Sequence, residues 1–216
     1  MIIYVYCHIL ICNMHKQVSI LTIKDGIIKS ADNALELIKD ASLLIENKRY
    51  IRSYSLSQLA LEEVGKSLML YTFYVKLQLN KRDDISLSEF KKNFYSHKKK
   101  TIESNMIDLM LFKKKYPKSS TNSKKFKEYA LNSFRELKLM DNGYFDDLKN
   151  KSLYVSFEEN SFKKPTEYFD NRKCRIFFRK SKEKVYFWEE WIKSTIGIEE
   201  YYGFDKENVI KKIKKS

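Results

Sequence analysis

From Tyr50 to Leu79 the chain carries apolar side chains nearly all round a helix of 3.6 residues per turn: Leu56, Leu59, Ala60, Leu61, Val64, Leu68, Met69, Leu70, Tyr71 and Phe73. A helix with a single apolar stripe lies on a surface, whereas one that is apolar on every side needs neighbours on several sides. The passage therefore predicts a central helix in a bundle. The rest of the chain agrees, because only 5 glycines and 2 prolines punctuate 216 residues. Turn-rich, strand-rich folds need more of both, so long helices with few breaks are favoured and the expected class is all-α.

Other elements follow from spacing. Ile27, Ile28, Ala31, Ala34, Leu35, Ile38, Ala41, Leu44 and Ile45 recur at helical intervals, which predicts an amphipathic helix from Lys24 to about Lys48. Asn80 to Asp84 is a polar connection, and Ser86-Leu-Ser-Glu89 has the form of a capping box opening a third helix that runs to about Lys115. Tyr116 to Asn122 is a loop, and Ser123 caps a fourth helix carrying Phe126, Tyr129, Ala130, Phe134 and Leu137. Asp141-Asn142-Gly143 signals a turn. Residues 152–157 are β-prone and predict an extended segment or a small hairpin arm. Pro165 opens a last helix reaching about Ser194. The organisation expected is an N-terminal extension over residues 1–19 (a loosely held arm, or a start mis-assigned ahead of Met14), a helical domain over 20–200 and a basic tail over 201–216.

Lys and Arg total 42 against 28 Asp and Glu, a formal net charge of +14. Such a surplus attracts polyanions, and nucleic acid is the commonest. An AT-rich genome, whose codons favour Lys, Asn, Ile and Tyr, would give the same surplus as solvated lysines, so charge leaves both readings open. The cysteines, Cys7, Cys12 and Cys174, are odd in number and form no CxxC pair, so neither a disulfide framework nor a zinc site is indicated and a reducing cytoplasm fits. Met1 to Ile11 is apolar apart from His8 but too short to span a bilayer, which argues against a membrane partner. A Gly-rich phosphate loop, a metal-ligand cluster and a serine or cysteine triad are all missing, so no metal and no cofactor are expected.

Two polar features sit where apolar residues belong. On the central helix Leu56, Leu59, Glu63, Lys66 and Leu70 share one stripe, which sets opposite charges into an apolar face. Burying them is costly unless they pair, and Glu63 or Glu62 can each reach Lys66 along the helix. Gly65 costs about 1 kcal/mol relative to Ala and admits a second backbone at close range. The charges either order the bundle or polarise something in a cleft. On the third helix Phe90, Phe94, His97 and Thr101 share a stripe, Lys98 and Lys99 turn away, and Lys100 returns near it. A histidine there is either a hydrogen-bonded core residue or a proton-transfer group, since imidazole titrates near neutrality.

Asn33-Ala34, Asp40-Ala41, Ser57-Gln-Leu-Ala-Leu-Glu62-Glu63-Val-Gly65-Lys66-Ser, Phe94-Tyr-Ser-His97-Lys-Lys-Lys100 and Leu148-Lys-Asn-Lys-Ser-Leu153-Tyr154-Val155 followed by Pro165 resemble, in order, the AbiV family of abortive-infection proteins. The resemblance spans roughly residues 20–200. It implies a HEPN-like helical bundle, a homodimer, and a bacterial anti-phage protein that stops translation once a phage protein triggers it. Many HEPN proteins are metal-independent ribonucleases, so RNA becomes the expected partner. On that reading His97, Lys100, Glu62, Glu63 and Lys66 form the catalytic set, and Lys91, Lys92, Lys98 and Lys99 bind RNA. The common signature of the group is Arg, then four to six residues, then His. Here Lys91 and Lys92 hold that spacing, and lysine lacks the planar fork of guanidinium. A non-catalytic basic module that binds RNA, ribosomes or a phage protein is the alternative.

Overall fold

The computed structural model describes residues 17–94, 100, 103–116, 124, 126–128, 131–132 and 142–196. The expected N-terminal extension up to residue 16, His97, Lys98, Lys99, most of the loop and fourth helix after Tyr116, and the basic tail lie outside them.

A short strand β1 (Gln17–Ser19) leads into helix α1 (Ile20–Glu46), followed by α2 (Tyr50–Leu79). Helix α1 starts four residues before the expected Lys24 because the Ser19 hydroxyl accepts from the Thr22 N–H, satisfying one of the open donors of the first turn. Its end comes at Asn47, and Lys48 takes the left-handed backbone (φ 58°) that reverses the chain. Helix α2 has the bounds read from the sequence.

Strand β2 (Asp84–Ser86) pairs antiparallel with β1, matching Val18 to Ile85, and both of those side chains are buried. The polar connection is thus partly a strand, and residues 17–19, read as extension, are stitched to it. Helix α3 (Leu87–Phe94) follows, with Ser86 Oγ accepting from Glu89 N. The third helix does not run unbroken to Lys115. A turn at Asn105 separates α4 (Met106–Lys115) from the helical residues before it. Asn and Ser favour caps and turns over helix interiors, and Ser104-Asn105 supplies both.

Helix α5 (Tyr144–Leu153), which the sequence reading passed over, precedes a hairpin of β3 (Ser156–Glu158) and β4 (Ser161–Lys163). Pro165 opens only a single 3₁₀ turn, Pro165–Glu167. The last helix, α6 (Asn171–Thr195), begins at its own N-cap, where the Asp170 carboxylate accepts from Arg172 N.

Helices α1 and α2 pack antiparallel along their length, through Ile23, Ile27, Ala31, Ala34, Ile38 and Ala41 on one side. Buried serines close the gaps: Ser53 Oγ donates to Ala41 O at 2.9 Å and Ser67 Oγ donates to Ile27 O at 2.8 Å. Helix α6 lies parallel to α2, with Trp188 fully buried and its indole N–H donating to Ser67 Oγ at 2.9 Å. Helix α5 crosses the start of α2, where Arg52 donates to Leu153 O at 2.6 Å, satisfying an open carbonyl of the last turn. The architecture is an all-α bundle with two minimal sheets, as the composition required.

Two helical glycines have opposite roles. A Cβ on Gly65 would lie 1.7 Å from Lys100 O and 2.5 Å from Lys100 C, both backbone atoms that cannot yield locally. A Cβ on Gly26 would meet only the end of the Leu70 side chain, at 3.1 Å. Gly65→Ala is expected to destabilise by about 3 kcal/mol although alanine is the better helix former. Gly26→Ala should change stability by no more than about 1 kcal/mol. Urea denaturation of the two variants checks both, and equal stabilities would contradict the close approach.

Candidate functional site

The Gly65 contact brings Lys100 against the middle of α2, beside the charged residues of that helix. Lys66 Nζ donates to Glu63 Oε1 at 2.5 Å, and both side chains are half-buried. Glu62, only 5% exposed, does not share Lys66. Its Oε1 accepts from Lys149 Nζ of α5 at 2.5 Å, and Lys149 also reaches Asp146 Oδ1 at 3.1 Å. Of the two pairings the sequence allowed for Lys66, the one with Glu63 forms; the second glutamate is taken by a helix that spacing did not reveal.

Lys100 is buried and makes no ion pair among the described residues. Its ammonium lies 5.5 Å from the centre of the Phe94 ring, and Lys66 Nζ lies 5.8 Å from the same ring. Two cations on one aromatic ring are each attracted by its quadrupole, while they repel one another. Burial, and then the charge of Lys66, push the Lys100 ammonium below its ordinary pKa, against the opposing pull of Glu62 and Glu63. For Lys149, burial acts downward, but the hydrogen bonds and charges of Glu62 and Asp146 outweigh it and hold the ammonium above its ordinary range.

The site thus joins α2, α3, α5 and Lys100. Leu56, Leu59, Glu63 and Lys66 are all half-buried, so this line of α2 is its less covered side, whereas Glu62 and its neighbours Leu61 and Val64 are covered. Phe90 and Phe94, whose rings stack 5.0 Å apart, turn toward the core, whereas Lys91 and Lys92 are exposed on the outer side of α3. Phe94 and Lys100 flank His97 by three residues on either side, and both belong to this cluster; His97, Lys98 and Lys99 are outside the described residues. Reading the sequence alone missed Lys149 and Asp146. The signal was present, since Lys149 lies in the 148–155 passage that contributed to the resemblance.

No group of His, Cys, Asp or Glu among the described residues could hold a metal ion. No helix among them is long and apolar enough to cross a membrane. A groove of about 770 Å³ lies elsewhere, between α4 and α6, lined by Leu68, Met106, Met110, Phe187 and Trp191 and by none of the cluster residues.

Residues 22–204 match the model of the AbiV family, within the HEPN group. The chain belongs to the AbiV family. Neither a curated protein nor a solved structure matches it. For an AbiV chain the function suggested is abortive-infection defence, and the resemblance read from Glu62-Glu63-Val-Gly65-Lys66 is borne out.

Two outcomes follow for the charges of this AbiV chain. Lys149→Met removes the short cationic partner of a buried carboxylate and should cost about 3 kcal/mol, while adding Glu62→Gln should recover most of the loss. A double-mutant cycle by denaturation measures this, and additive losses would contradict a coupled pair. Lys100→Met removes a buried ammonium with no ion pair among the described residues and should be neutral or stabilising by about 1 kcal/mol, raising Tm by about 2–4 °C. Calorimetry that shows a clear loss would mean the charge is structural.

Proposed function

We propose that this AbiV chain is an anti-phage ribonuclease that needs no metal, acts at a site built by two copies, and stops translation once a phage protein activates it. The observation that carries this reading is Lys100: a buried ammonium with no ion pair among the described residues, beside the Glu63–Lys66 pair, three residues from His97. A protein that needed only stability would gain by replacing such a charge with an apolar side chain.

In the proposed reaction the RNA 2′-hydroxyl attacks the adjacent phosphorus and the bond to the 5′-oxygen breaks, leaving a 2′,3′-cyclic phosphate and a free 5′-hydroxyl. A base must take the proton of the 2′-hydroxyl, and an acid must supply one to the departing oxygen. A single imidazole cannot hold both protonation states at once. His97 of each of two subunits, meeting across a two-fold axis, supplies the base and the acid. Lys100 offsets the charge that builds on the non-bridging phosphate oxygens. Glu63 and Lys66 hold the partly open line of α2 on which the second subunit would pack, and the Glu62–Lys149 pair fixes α5 behind it. Lys91, Lys92, Lys98 and Lys99 are assigned to contacts with the RNA backbone.

A second reading, occupancy without catalysis, is favoured by one observation: Lys91 and Lys92, at the spacing where the group carries arginine, are exposed on the outer side of α3. Incubating the purified protein with cellular RNA, with and without a phage activator, separates the two.

His97→Ala should leave folding intact, abolish protection against phage and end the cleavage of RNA. A substrate with a 2′-deoxy position at the scissile step should resist cleavage by the native chain. Protection at normal levels by the His97→Ala protein would overturn the nuclease reading.

A further inference from the structure

The first half of α6 carries a second concentration of positive charge, on a different helix from the cationic residues assigned above. Arg172, Arg175, Arg179 and Lys182 are spaced three, four and three residues apart, which places them on one face of the helix. All three arginines are exposed, and none of them has an ion-pair partner among the described residues. No carboxylate occurs on α6 until Glu183.

Composition does not account for this face. The chain has seven arginines among its 42 basic residues, and three of the seven lie on this stripe. A codon bias toward lysine predicts no such cluster. Farther along α6 the cations are paired in the ordinary way, Lys184 with Asp108 at 2.7 Å and Lys193 with Glu189.

The arrangement also opposes the physics of an isolated helix. Like charges three and four residues apart repel. The stripe starts in the first turn, where the helix dipole favours negative charge and only the Asp170 N-cap supplies it, the turn itself having no acidic residue. Both costs are relieved when a polyanion lies along the face.

We propose that this face of α6 is a binding track for the backbone of single-stranded RNA, separate from the cluster around Glu63, Lys66 and Lys100. It rests on the reading above only in taking RNA as the partner. Ten residues of helix span about 15 Å, long enough to follow several successive phosphates of one strand. The Arg175 guanidinium lies over the Tyr50 ring, 5.4 Å from its centre, at the start of α2. Lys182 lies 5.8 Å from the ring of Tyr186, which is 41% exposed and available for a base to stack on. A protein partner would require an apolar centre to the patch, and Ile176 and Tyr186 are its only large exposed apolar side chains among the described residues.

The test uses the full chain and a labelled 20-nucleotide 2′-O-methyl RNA, which lacks the attacking hydroxyl and cannot be cut. Binding is followed by fluorescence anisotropy over a range of salt for the native protein, for R172Q/R175Q/R179Q and for R172K/R175K/R179K. The glutamine variant should lose about tenfold or more in affinity, and its slope of log K against log salt should become shallower by about 2, from three contacts at roughly 0.7 each. The lysine variant should retain the slope, and none of the substitutions should lower the unfolding temperature. An unchanged affinity and slope in the glutamine variant overturns the proposal, as does a native chain that binds no RNA. Native protein that binds through this face but cuts no RNA supports the track and defeats the nuclease reading alone.

Discussion

Where Gly65 of α2 meets the carbonyl of Lys100 there is no space for even one methyl group. A glycine inside a long helix weakens it locally, and the return is that a second stretch of backbone comes within van der Waals reach. That approach delivers Lys100 to the middle of the central helix and sets its ammonium and that of Lys66 over the same Phe94 ring. The charged residues of α2 would otherwise be an ordinary helix-surface pair. With the contact in place they become part of a cluster that joins α2 to Phe94 and Lys100 and to α5.

The polar groups inside this bundle fall into two kinds. Ser53, Ser67 and the Trp188 indole are satisfied across helix interfaces, and they fix how α1, α2 and α6 pack. The face of α2 bearing Tyr54, Gln58 and Glu62 at intervals of four residues behaves differently. Among the described residues neither polar atom of the Gln58 amide, nor the Tyr54 hydroxyl, has a hydrogen-bond partner, and each such group costs about 1–3 kcal/mol. Glu62, next in the row, is paired with Lys149, which arrives from α5. Stability alone would replace these residues with apolar ones. Their concentration on the helix that also carries Glu63, Gly65 and Lys66 is what separates this region from the satisfied interior around Trp188.

Much of the fold was legible because it rests on periodicity and on the scarcity of helix breakers. The bounds of α2 followed from its apolar run, and the close backbone approach was signalled by Gly65 itself. The start of α1 was missed because Ser19, a capping residue, precedes an apolar stretch that reads equally as extension. The turn at Asn105 and the cap at Asp170 were missed because a polar residue between two apolar periods is as common inside an amphipathic helix as at its end. Helix α5 escaped because ten residues with few apolar positions show no stripe, and Lys149 escaped with it. Which lysine would neutralise Glu62 depends on a contact across 87 residues, and spacing along a helix cannot reveal that.

The proposed nuclease requires His97 to act beside Lys100. The most direct measurement is an NMR titration of the His97 ring in the native chain and in the Lys100→Met protein. If the ring lies at the cluster, removing the neighbouring positive charge makes it easier to protonate, and its titration midpoint moves to higher pH. The same midpoint in both proteins would place the imidazole away from Lys100 and contradict the account.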